Sequence, residues 1–151
     1  MADYLTLKAL HVTGAVLMVG NVTVTGLWAA YGFRHRATVP FRFVARAILW
    51  TDLIFTFGGG ALQTISGILM VESGNLAWRD TGWLRTGIAM LALSSLAWVV
   101  VLLPDQLRMA RVDPKDDARI VQLFTRWSVV GWASTVVLYV GIWVMTTKVG
   151  W

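Results

Sequence analysis

Lys8 and His11 stand three residues apart in the stretch YLTLKALHVTGAVLMVGN, residues 4–21, where nearly every other side chain is apolar or small. An imidazole in such a run can ligate iron, move a proton, or bond a hydroxyl or backbone carbonyl on a neighbouring helix. The lysine can extend its aliphatic stem toward a membrane surface, or turn inward to an anion. Met90 offers a thioether, and a histidine and a methionine from facing helices can form an axial pair for haem iron. Arg85 offers a planar fork of donors suited to a carboxylate pair such as haem propionates, or to a lipid headgroup. His11, Met90, Lys8 and Arg85 are therefore the cofactor candidates, with His11 and Met90 as the metal ligands. Each also has a plainer role: internal bonding for His11, packing for Met90, and snorkelling to the interface for Lys8 and Arg85.

These residues need elements that hold them at one depth, and the composition says what those elements are. The chain is 57% hydrophobic and 14% charged and carries nine tryptophans, with a mean hydropathy of +0.66. A soluble domain carries about a quarter charged residues. Crossing the hydrocarbon core takes about 20 mostly apolar residues, and four runs meet that length, at about 5–32, 47–71, 83–104 and 124–147. Backbone groups in lipid must be satisfied internally, so the expectation is an all-α polytopic membrane protein, an antiparallel bundle of four transmembrane helices. Residues 1–151 form one domain, with no repeat and no low-complexity segment. In such a bundle His11 lies roughly 9 Å inside its end of the first span, and the same depth on the other spans reaches Ser66, Met90 and residues 140–142.

The net charge of +5 is distributed as a topology signal. Arg34, Arg36, Arg42 and Arg46 lie between spans one and two, and Arg108, Arg111, Lys115, Arg119 and Arg126 between spans three and four. Basic loops stay cytoplasmic, so both termini are expected on the outer, periplasmic side of a bacterial inner membrane. The aromatics lie in or beside the spans and do not interleave with the basic loops, which argues against nucleic acid; membrane lipid is the expected partner. With no cysteine, disulfides and thiolate sites are excluded. The start MADYL lacks the basic segment of a cleavable signal, so span one is expected to remain in the protein.

Along span one, His11, Gly14, Met18, Asn21, Thr25 and Trp28 recur at helical spacing and are expected to face the bundle interior. Span two contains FGGGALQTISGI, where Gly60, Thr64 and Gly67 share a face with Gln63 and Ser66 nearby; it suits either tight helix packing or a flat ligand. Asp52 is the one acid within a span's apolar stretch, and a cation of the basic rim, Arg46 or Arg126, is its expected partner. In the connection PDQLRMARVDPKDDARIVQLF, Pro104 suggests a helix end and Asp113 before Pro114 a new N-cap. Trp78 and Trp83 suit the outer interface as anchors.

At LKALH, GAVLMVGN and WLRTG the sequence resembles a bacterial four-helix integral membrane family of unknown function, over most of the chain. It also resembles, more distantly, HemJ-type protoporphyrinogen oxidases and the membrane domain of CopD-type copper-resistance proteins. The HemJ likeness is carried by Lys8, His11, Trp83 and Arg85; those proteins show Trp-Leu-His-x-Lys where this chain reads GWLRTG. What it implies is porphyrin handling with bound haem, while the CopD likeness implies His and Met ligands for copper.

Three functions follow as expectations. The first is a redox or haem-binding protein holding haem b between helices near the outer face. The second is a non-catalytic accessory subunit, a homo-oligomer or part of a larger membrane complex, with tryptophans and small residues as packing surfaces. The third is copper or small-solute transport. No paired carboxylates, phosphate-binding glycine loop or nucleophile with an adjacent base is present.

Overall fold

A computed structural model describes residues 3–148. Four helices, each long and apolar enough to cross a membrane, run through it: α1 Tyr4–Arg34, α2 Phe41–Ser73, α3 Gly82–Met109 and α4 Asp117–Thr147. Among the described residues there is no strand, and the all-α expectation holds. Large apolar side chains stand exposed on every helix, among them Leu5, Phe43, Ile54, Leu96 and Trp143 at 59–71%. Water would not tolerate so much apolar surface, whereas lipid tails solvate it.

The helices outrun the apolar runs at the end that carries the basic loops. α2 begins at Phe41 and α4 at Asp117, because these first turns lie beyond hydrocarbon and their charged residues can be solvated. The N-cap of α4 is Asp116, whose carboxylate accepts from the Arg119 N–H at 3.0 Å. Asp113 instead closes a tight turn on the Lys115 N–H at 2.9 Å, which corrects the expected cap.

Pro104 does not end α3. Proline has no N–H for the carbonyl four residues back, and the helix absorbs that loss by widening into a π-helical turn over Trp98–Leu102, where the Leu103 N–H reaches the Trp98 carbonyl. A second π-helical turn, Asp52–Phe57, interrupts α2. Such single wide turns commonly sit at functional sites.

Neighbours in the chain are neighbours in space. α1 packs along α2, α3 along α4, and α1 also meets α4. The α1–α2 seam closes at glycine: a Cβ on Gly14 would stand 2.6 Å from the Gly59 carbonyl oxygen and the Gln63 nitrogen. That is the close backbone approach small residues permit in membranes. α2 and α3 differ from the other neighbours. They meet where Phe41–Thr51 lies against Leu103–Met109, and toward the end bearing the termini Gly58–Ser73 and Gly82–Ala97 do not approach each other. The basic end is sealed by a core of Ala29, Phe41, Ile48, Leu102, Met109, Leu123 and Trp127, with Phe33 stacked on Phe124 at 3.9 Å between ring centroids.

Candidate functional site

Asp52 lies on α2 roughly 16 Å in from the first residue of that helix, and it is only 4% exposed. Three other side chains converge on it. Thr56, one turn along the π-helical segment, donates to Oδ1 at 3.1 Å. Asn21 of α1 donates its Nδ2 to the same oxygen at 2.7 Å and contacts the Thr56 hydroxyl at 2.9 Å. Gln106 of α3, 1% exposed, donates Nε2 to Oδ2 at 2.5 Å. The Trp98 indole N–H approaches the carboxylate without hydrogen-bond geometry. Every one of these partners is neutral, and among the described residues Asp52 enters no ion pair. The expected pairing with Arg46 or Arg126 is thereby corrected.

Arg126 binds a different acid. It holds Asp105 of α3 through two guanidinium nitrogens, and Arg108 reaches the same carboxylate at 2.9 Å. The Asp105 side chain is wholly buried between them. Asp105 and Gln106 are adjacent in sequence, so one turn of α3 clamps α4 with the first and α2 with the second.

The polar centre forms one end of a cavity of about 380 Å³ lined by all four helices. Its walls include Phe57 and Ile65 of α2 and Leu91 and Val99 of α3, which flank the cleft where those helices diverge. Trp98, Trp127 and Trp132 supply aromatic surface. The hydroxyls in the wall are largely spent on helix carbonyls: Thr25 on Asn21 at 2.8 Å, Thr135 on Gly131 at 2.9 Å and Ser94 on Ser134 at 3.3 Å. The buried polar atoms left without a partner on the cavity's residues are Gln106 Oε1 and the indole nitrogens of Trp98 and Trp127. Buried polar atoms are seldom left unmatched, and an ordered water or the polar group of a ligand would satisfy these three.

The residues singled out by sequence lie nearer the other end. His11 Nδ1 is 2.8 Å from the Gln63 carbonyl of α2, so this nitrogen carries the proton, and the ring lies against Gly67. Met90 packs beside Gly141 of α4. Lys8 and Arg85 are exposed. None of the four lines the cavity, and among the described residues α1 makes no close approach to Gly82–Ala97 of α3, where Met90 lies. No group of three or more His, Cys, Asp or Glu among the described residues could hold a metal ion. Gly60 and Thr64 line the cavity, while Gly59 makes the tight packing against α1. Trp28 of the polar stripe stands 61% exposed and Ala29 takes the inward position.

Gln106 was not legible as a site residue because Pro104 placed it in a loop. The available signal was the spacing of Leu102, Gln106 and Met109, which continues a helical face past the proline.

Residues 5–149 match the model of a family described as "Predicted integral membrane protein (DUF2269)". No curated protein and no solved structure matches the chain.

Proposed function

The chain belongs to this family of predicted integral membrane proteins, and from that premise we propose that it is a small-solute carrier, taking up a lipophilic molecule with a polar group through the cleft between α2 and α3. One observation carries the proposal: a buried carboxylate with unmatched polar neighbours stands at the end of a mostly apolar cavity bounded by helices that diverge. Ligand sites are mostly apolar with a few convergent polar groups that fix orientation. With the basic loops cytoplasmic, the polar centre lies toward the cytoplasmic side and the cleft widens toward the outer side.

The test uses 1-aminoanthracene, a flat neutral fluorophore, titrated into protein in lipid nanodiscs. Saturable fluorescence enhancement that Ala61→Trp abolishes and Ala92→Trp leaves unchanged supports the site, because Ala61 lines the cavity and Ala92 does not. Equal, unsaturable partitioning into parent and Ala61→Trp nanodiscs overturns it.

A second reading, haem b held by His11 with Met90 as its partner and Lys8 and Arg85 near the propionates, is favoured by one contact. The His11 Nδ1–H bond to the Gln63 carbonyl fixes the tautomer whose Nε2 is free to ligate, as in many metal-binding histidines. A Soret band in protein from its native membrane, lost in His11→Ala, supports haem. A featureless visible spectrum overturns it.

A further inference from the structure

We propose that the cavity selects an organic cation, a protonated or quaternary amine whose charge is met by Asp52; this rests on the cavity being a ligand site. An ionised side chain inside a membrane is costly unless it is paired or lines a pathway. Asp52 lines the cavity, yet no lysine, arginine or histidine among the described residues pairs with it. The nearby cations on α3 and α4, Arg108 and Arg126, are committed to Asp105. With Asp52 ionised, the balancing positive charge is left to whatever enters the cavity.

The acceptor side of the hydrogen-bond inventory agrees, while the indole N–H donors of Trp98 and Trp127 are left to water or to an acceptor on the ligand. A carboxylate offers about four lone-pair sites. Asn21 and Thr56 use two on Oδ1 and Gln106 uses one on Oδ2, which leaves one acceptor site, approached by the Trp98 indole N–H without hydrogen-bond geometry. Against an ionised carboxylate Gln106 turns its Nε2 toward Oδ2, because the reversed amide would set oxygen against oxygen. That orientation leaves its buried Oε1, on the same side chain, as a second, unpartnered acceptor. Two such acceptors suit an ammonium donor. The indole rings of Trp98, Trp127 and Trp132 also line the cavity, and indole rings attract organic cations most strongly where water is excluded.

The experiment compares two isosteres as competitors of bound 1-aminoanthracene: phenyltrimethylammonium and tert-butylbenzene, which differ in replacing a charged nitrogen by carbon. The cation is expected to displace the fluorophore at a free concentration lower by about tenfold or more. In Asp52→Asn the ratio of the two displacing concentrations is expected to fall to about one. Equal displacement by the two compounds in the parent protein, or an undiminished preference in Asp52→Asn, overturns the cation assignment and leaves the cavity reading standing. Absence of 1-aminoanthracene binding to the parent overturns the cavity reading itself. Should Asp52→Asn fail to fold, the comparison on the parent protein decides alone.

Discussion

The Gln106 amide of α3 donates to the Asp52 carboxylate of α2 at 2.5 Å, close to where those two helices part. Below it Phe41–Thr51 and Leu103–Met109 are packed; beyond it Gly58–Ser73 and Gly82–Ala97 are apart. One hydrogen bond therefore both orients the buried acid and closes the cleft at its narrow end. Its removal tests both roles. Gln106→Leu is expected to lower stability by about 1–2 kcal/mol, the cost of withdrawing one donor from a buried acceptor. Thermal melts followed by circular dichroism in detergent measure this, and an unchanged melting temperature would contradict it.

Glycines on α1 should separate sharply by position. A methyl group on Gly14 meets the α2 backbone at 2.6 Å, whereas one on Gly20 meets nothing within 4 Å. Gly14→Ala is expected to cost about 1–3 kcal/mol, as overpacking does. Gly20→Ala is expected to be neutral or to stabilise by up to about 1 kcal/mol through helix propensity. Parallel melts of the two variants check the contrast.

Arginines that look alike in sequence should also differ. Arg126→Gln leaves the wholly buried Asp105 with Arg108 alone, and a buried charge deprived of its main partner destabilises strongly. Arg111 is exposed and in no ion pair among the described residues. Arg126→Gln is expected to melt well below the parent protein and Arg111→Gln beside it.

Pro104→Ala restores the N–H that a regular helix would give to the Val100 carbonyl. The wide turn at Trp98–Leu102 then loses its cause, and closing it rotates Trp98 relative to Gln106. The expected outcome is unchanged helicity with weaker 1-aminoanthracene binding. His11→Ala, outside the cavity lining, is expected to bind the fluorophore like the parent.

The spans were legible because hydrocarbon imposes length and apolarity directly on sequence, and the inward face of α1 was legible through Gly14, Met18 and Thr25, all buried. That face failed at Trp28 for a geometric reason. A spacing of alternating three and four residues averages 3.5 per turn, whereas the helix turns every 3.6, so the stripe drifts until Ala29 faces inward. Asp52 was visible as an unusual acid, but its partners were not. Pro104 hid Asp105 and Gln106 by resembling a helix end, and only the three-dimensional arrangement shows Arg126 occupied by Asp105. The plainer role read for His11, a bond to a hydroxyl or carbonyl on a neighbouring helix, is met by the Gln63 carbonyl of α2; its depth alone did not indicate that the cavity lies nearer the basic end.

Whether a small lipophilic molecule occupies the cavity is tested most directly by photolabelling. The protein in nanodiscs is irradiated with 1-azidoanthracene, with and without excess 1-aminoanthracene, and adducts are mapped by mass spectrometry. The account predicts competable adducts on cavity residues such as Ile65, Leu91 and Trp98. Adducts confined to outward-facing residues such as Leu53 and Leu96, undiminished by competitor, would contradict it.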